Sequence, residues 1–350
     1  MEILQHIWDA TPEGEVIVIY TMRNALGSEV QLSNLGAGVV SVMFADRNGV
    51  VDDVVLGYRS AKHYMGDPAC CGKSIGRVAG RIANGRMTID GVEYSLEINY
   101  GMNHMHGASK NFANRLWESS VEGNRIVFTI LSEEGEGGYP HDVAAQVVYD
   151  FDDENNFEIT YLAKSSGTTP VNLTSHIYWN LAGEASGSIL DHTLQLNASQ
   201  VLEVNDRQIP TGRLLDVTGT VMDFREARRL GDGIDDEFNR MREYRGYDHY
   251  LVVDGWRKNI LGEVGTLSDP KSGRRVEILS SQPGCVLYTG NGLSGGCPEA
   301  KSGGRYADYA GVAIECQGYP DAVNHPEFPT VLLQEGELYC QKIVFRLRAE

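Results

Sequence analysis

NNFEITYLA, residues 155–163, sets Phe157, Ile159, Tyr161 and Ala163 on one parity and Glu158 and Thr160 on the other. A strand throws successive side chains to opposite faces, so this segment has one face to bury and one to leave wet. The same period of two recurs outward in both directions. It is read in EVIVIYTM (15–22), EVQLSNLGAGVVSVMF (29–44), RMTIDGVEYSL (86–96), RIVFTIL (125–131), HTLQLNA (192–198), CVLYTGN (285–291) and KIVFRLR (342–348). Pairs such as NG (48–49), DG (90–91, 254–255) and GG (137–138, 295–296) punctuate these runs, as hairpins require. The chain has 40 glycines in 350 residues, a density that suits many turns between short strands.

Helical signal is thin. REARRLGDGIDDEFNRMREY (225–244) has room for one short helix, with acidic residues at its start and Arg240 to Arg245 near its end. No alternation of strand and helix appears, so a doubly wound sheet is disfavoured. No Pro/Ser-rich linker divides the strands between residues 15 and 348. The expected architecture is therefore all-β: a large antiparallel β-sandwich with few short helices, formed by residues 1–350 as a single domain. A β-barrel fits the same pattern.

Composition excludes some partners. The net charge of −18 repels nucleic acid and anionic lipid surfaces. No apolar run approaches the roughly 20 residues of a membrane-spanning helix. Residues 1–16 lack the basic and apolar regions of a signal peptide, and the six cysteines form no CxxC pair or tight framework. Reduced thiols and a cytoplasmic location are expected.

Two motifs are decoys. GDPACCGKS (66–74) resembles a phosphate-binding loop, but five residues rather than four separate Gly66 from Gly72. His104 and His106 form an HxH pair, yet no carboxylate follows before Glu118. No metal or cofactor is expected.

Four patches set titratable residues in apolar or glycine-rich company. They are GKSIGRVAGRIANG (72–85) with INYGMNHMHG (98–107), VNLTSHIYWNLAG (171–183), GYDHYLV (246–252) and GVAIECQGYPDAVNHPEFPT (311–330). Glu315 follows the apolar run GVAI, where partial desolvation raises a carboxyl pKa. Together the patches suit a hydrogen-bonding pocket for a polyol, with a Glu and a His available for proton transfer.

In these segments, and in LSNLGAGVVSV, VVLGY, EGGYPHDV and YTGNGL, the chain resembles the aldose 1-epimerases, or galactose mutarotases. The resemblance runs from about residue 15 to the C-terminus. It implies a β-sandwich of the galactose mutarotase-like type that interconverts α and β anomers of free aldoses such as glucose and galactose. It implies Glu315 as general base on the anomeric hydroxyl and His176 as acid at the ring oxygen. His106, Arg81 and Asp248 are implied as sugar contacts, and Gln282, before Pro283 and Gly284, as a further one. A proton must leave the C1 hydroxyl while another reaches O5, so Glu315 is expected to start ionised and His176 protonated, with the acidic limb of a pH profile from Glu315. A monosaccharide is the expected partner, to a monomer or homodimer. Three positions depart from the family pattern: Gly80 where Asn is usual, Ala108 where Gly is usual, and Cys316 where Thr is usual. The Gly80 departure removes a hydrogen-bond donor and acceptor from the expected pocket. Two alternatives use the same residues: a non-catalytic carbohydrate-binding protein on the same fold, and a glycoside hydrolase using Glu315 and Asp248. The second leaves two histidines unexplained.

Overall fold

The computed structural model describes residues 1–241 and 244–350, with the backbone alone described for residues 239–241 and 244. Residues 156–163 fall within strand Asn156–Ser165, whose odd positions from Phe157 to Ala163 are buried and whose intervening positions are half-buried. That strand lies inside a nine-stranded antiparallel sheet. Its neighbours are Val143–Phe151 on one side and Tyr339–Ala349 on the other, so strands about 180 residues apart in sequence are joined directly. The sheet continues through Arg125–Ser132 to Glu118–Glu122 at one end. At the other it runs through Arg274–Ser280, Gly262–Ser268 and Thr193–Leu196 to Arg228–Arg229.

A six-stranded sheet packs against it, in the order Tyr178–Trp179, Val312–Gln317, Gly284–Tyr288, Asp248–Val252, Gln200–Val204 and Pro210–Asp216. A five-stranded sheet of residues 2–53 completes the layers. One apolar core joins all three: Val42 from the first strands, Ile159 and Phe345 from the large sheet, and Leu287 and Ile314 from the six-stranded sheet. The Trp179 and Phe345 rings meet across the layers at 5.1 Å. Each such side chain contributes about 1.5–3 kcal/mol on burial. The terminal strands of the large sheet each have a single neighbour, so the sheet is open. This is the sandwich and not the barrel.

The turn chemistry is as expected where φ must be positive. Asp90 (φ 50°) and Gly91 (φ 80°) close the hairpin of Arg86–Ile89 and Val92–Ser95. The helix expected within residues 225–244 does not form. The described part holds strand Arg228–Arg229 and single 3₁₀ turns at Leu230–Gly233 and Glu237–Asn239; residues 242 and 243 lie outside the description. The stretch after the acidic run 235–237, which would carry the helix, pairs instead as two short antiparallel strands, Arg240–Met241 with Tyr244–Arg245.

Strand Val312–Gln317 positions the site. All six residues are buried. Val312, Ile314 and Cys316 face the main core. Glu315 and Gln317 face the other way and line a cavity. A strand covered on both faces reads as a continuous apolar run, and the polar residues within it need another reason to be there.

Candidate active site

The cavity has a volume of about 390 Å³, within the range of small-molecule pockets. Glu315, His176, His106, Arg81 and Asp248, which are scattered over 234 residues of sequence, all line it.

His176 is held by its backbone. Its N–H donates to the Lys73 carbonyl at 2.9 Å, and its own carbonyl accepts from the Gly72 N–H at 2.9 Å. The 67–73 turn is in turn organised by the buried Asp67 carboxylate, which accepts from Tyr58 Oη (2.6 Å), the Ala69 N–H (2.9 Å) and the Cys71 N–H (2.6 Å). The imidazole packs 4.8 Å from the Tyr178 ring and 6.3 Å from the Tyr288 ring. Tyr178 and Tyr288 thus pack around the ring, while Trp179 faces the core against Phe345.

Glu315 stands opposite Val286 in the sheet register. Its Oε1 lies 3.5 Å from His176 Nε2, close enough for strong electrostatic coupling but longer than a direct hydrogen bond. Glu315 Oε2 and His176 Nδ1 have no hydrogen-bond partner among the described residues. Both side chains are under a tenth exposed. Burial raises the Glu315 pKa to about 8; the nearby Asp248 charge adds to the rise and Arg81 opposes it. Burial lowers the His176 pKa to about 4. The expected starting state is thus reversed. At neutral pH the pair holds one proton, and desolvation places it on the carboxyl.

His106 is a hydrogen-bond donor by construction. Its Nδ1 accepts from the Gly80 N–H at 3.2 Å, which leaves the ring proton on Nε2. Burial and the neighbouring His176 keep it neutral, well below the usual histidine range. His104, the other half of the HxH pair, is structural: Nδ1 meets the Glu97 carbonyl at 2.6 Å and Nε2 meets Tyr139 Oη at 2.7 Å. Ligand atoms of His106, His176 and Glu315 lie within 4.8 Å of one another, a donor set able to take a divalent cation. The same three groups suffice for proton transfer.

Arg81 and Asp248 sit nearer the opening, at 15% and 22% side-chain exposure. Arg81 Nη2 donates to Asp248 Oδ2 at 3.3 Å and to Gln208 Oε1, and its guanidinium lies over the Tyr100 ring at 5.0 Å. The arginine is thus oriented by three partners and presents a planar donor edge.

Gln282 is a correction. It is buried at the bend between Arg274–Ser280 and Gly284–Tyr288, and its Nε2 donates to Tyr339 Oη at 3.1 Å, away from the cavity. The residues that strand Gly284–Tyr288 sends to the cavity are Val286, opposite Glu315, and Tyr288. Sequence reasoning missed Gln208, Tyr288 and Gln317, which also line it. For Gln317 a signal existed, because it shares a strand face with Glu315 two residues earlier. The Cys316 departure points into the core and cannot touch a ligand. Ala108 is buried with φ 53°, so it keeps the left-handed backbone that a glycine would adopt there.

The family described as aldose 1-epimerase matches residues 18–346. The chain is similar to the galactose mutarotase of Bos taurus, 39% identical over 91% of this chain and 90% of that one. It is similar to the aldose 1-epimerase of Escherichia coli K12, 35% identical over 97% of each. Among solved structures, the GalM/aldose epimerase homologue from C. elegans superposes with a TM-score of 0.86 at 31% identity, over 95% of this chain and 98% of that one.

Proposed function

The chain belongs to the aldose 1-epimerase family, and from this premise we propose that Glu315 and His176 are its acid–base pair and that Arg81, Asp248 and His106 hold the sugar. The enzyme interconverts α and β anomers of free aldoses. In the proposed cycle the C1 hydroxyl donates to Glu315, which favours the ionised carboxylate and moves the pair's proton to His176. Glu315 takes the O1 proton and His176 protonates O5. The C1–O5 bond breaks and C1–O1 becomes a carbonyl. Rotation about C1–C2 presents the other carbonyl face. His176 then recovers its proton from O5 as O5 attacks C1, and Glu315 returns a proton to O1.

The observation that carries this reading is the 3.5 Å approach of His176 Nε2 to Glu315 Oε1 at the buried floor of the cavity. O1 and O5 are bonded to the same carbon, so groups serving both must lie close together. A carbohydrate-binding protein has no use for a desolvated acid–base pair with unpartnered atoms. Glucose and galactose are the proposed substrates. Residues 1–350 are proposed to work as one domain, and because one chain supplies the whole site, either a monomer or a homodimer serves. The six free cysteines favour a reducing compartment such as the cytoplasm.

Polarimetry of freshly dissolved α-glucose and α-galactose tests the activity, and its pH dependence tests the pair. The active form carries one proton. Below a pKa of about 4, His176 takes a second; above about 8, Glu315 loses the one it has. The rate should be bell-shaped with limbs near those values, the acidic limb belonging to His176. A flat profile between pH 3 and 9 would count against the pair.

Asp248→Asn keeps the side-chain shape and removes a charge. Kcat/KM is expected to fall roughly 10–100-fold, because a loosened sugar is both bound and oriented less well. The basic limb should also move to lower pH, since the Asp248 charge helps to raise the Glu315 pKa. A stable variant with an unmoved limb would reduce Asp248 to a structural role.

A further inference from the structure

Gln317 ends the strand that carries Glu315 and points to the same side. It is fully buried, yet its Oε1 has no hydrogen-bond partner among the described residues. Its Nε2 makes one long contact, 3.5 Å to the Gly318 carbonyl. Its main-chain carbonyl accepts from Tyr250 Oη at 3.0 Å, which fixes the strand end without engaging the amide. Buried polar groups are almost always paired, so an unpaired acceptor on a cavity wall marks a place for a ligand donor.

The adjoining wall is shaped around this amide. Gly80 has φ 79°, and a Cβ there would lie 3.3 Å from Gln317 Nε2 and 3.3 Å from Pro320 Cβ. A side chain at position 80 would thus press on the glutamine. The Gln317 amide beside Gly80 offers a donor and an acceptor where that residue has no side chain.

We propose that Gln317 is a specificity-determining residue whose Oε1 accepts a hydrogen bond from one non-anomeric hydroxyl of the bound aldose. This rests on the reading of the cavity as the sugar site. Arg81 and Asp248 stand nearer the opening, whereas Gln317 is fully buried on the Glu315 strand. It therefore reads a hydroxyl on the reacting side of the ring.

The test is a matrix of two enzymes and five sugars: wild type and Gln317→Met, with glucose and its 2-, 3-, 4- and 6-deoxy analogues, followed by polarimetry. Methionine keeps the length and loses both amide functions. Wild type should lose about tenfold in kcat/KM for one deoxy sugar, the size of one neutral hydrogen bond, beyond its preference among the rest. Gln317→Met should erase that one difference and leave the ratios among the other sugars unchanged. Ratios between sugars in one sample cancel any change in the folded fraction. A variant that lowers all five sugars equally, or leaves every ratio as in wild type, overturns the proposal. Failure of the underlying reading looks different: wild type would then accelerate none of the sugars.

Discussion

Glu315→Gln is expected to lower kcat by about 10²–10⁴-fold, the range for loss of a positioned general base, and to leave the protein folded. The amide matches the carboxyl in size, and no described residue hydrogen-bonds Glu315 Oε2. Stability gives a second reading. The folded carboxyl has a pKa of about 8 against an ordinary 4.5. The folded state therefore holds a proton that the unfolded state releases, and this group costs stability progressively as pH rises through that interval. Glu315→Gln removes the cost. Its Tm should exceed that of wild type at pH 8 and match it near pH 4. Polarimetry and thermal melts on one preparation check both halves. Turnover close to wild type would remove Glu315 from the mechanism. A lower Tm at pH 8 would mean that the carboxylate has a partner in the folded protein.

His176→Asn should be comparably damaging, about 10²–10⁴-fold in kcat, with sugar binding retained. His106→Asn should cost roughly tenfold, the scale of one lost hydrogen bond. The two imidazoles are neighbours, with ring centroids 6.0 Å apart, but they are not equivalent. His176 faces Glu315 and has a free Nδ1. His106 has spent its Nδ1 on the Gly80 N–H. The pH profile separates them further: the acidic limb near 4 should vanish from the residual activity of His176→Asn and persist in His106→Asn. The opposite ranking would exchange the roles of the two histidines.

What the sequence reveals here follows the range of each interaction. Alternation in residues 155–163 and in KIVFRLR is local, and both segments form strands of the large sheet. The joining of these two as neighbours is not local, and no pattern within either announces it. Glu315 after an apolar strand was legible as a desolvated carboxyl. Which proton it holds was not, because that depends on Asp248 and Arg81 arriving from other strands. Gln282 shows the same limit. A glutamine before Pro283 and Gly284 is plain in the sequence, but Tyr339, which draws its amide away, lies 57 residues on. The helix expected after the acidic run 235–237 gives way to the pairing of Arg240–Met241 with Tyr244–Arg245, which charge pattern does not report.

The composition of the cavity wall has a chemical consequence. Each turnover of the proposed cycle frees an aldehyde, an electrophile that amines capture as imines. None of the described residues lining the cavity is a lysine; the cation there is the Arg81 guanidinium, whose delocalised nitrogens are poor nucleophiles. The two lysines fixed near the site turn elsewhere, Lys73 Nζ to the Tyr64 carbonyl and Lys301 Nζ to Asp53 and the Val40 and Val55 carbonyls. Cys70 and Cys297 do line the cavity, but burial raises both thiols, that of Cys70 to about 12, away from the thiolate that would attack a carbonyl. The wall is thereby inert toward its own intermediate, and the open-chain sugar can turn and close without glycating the enzyme that opened it.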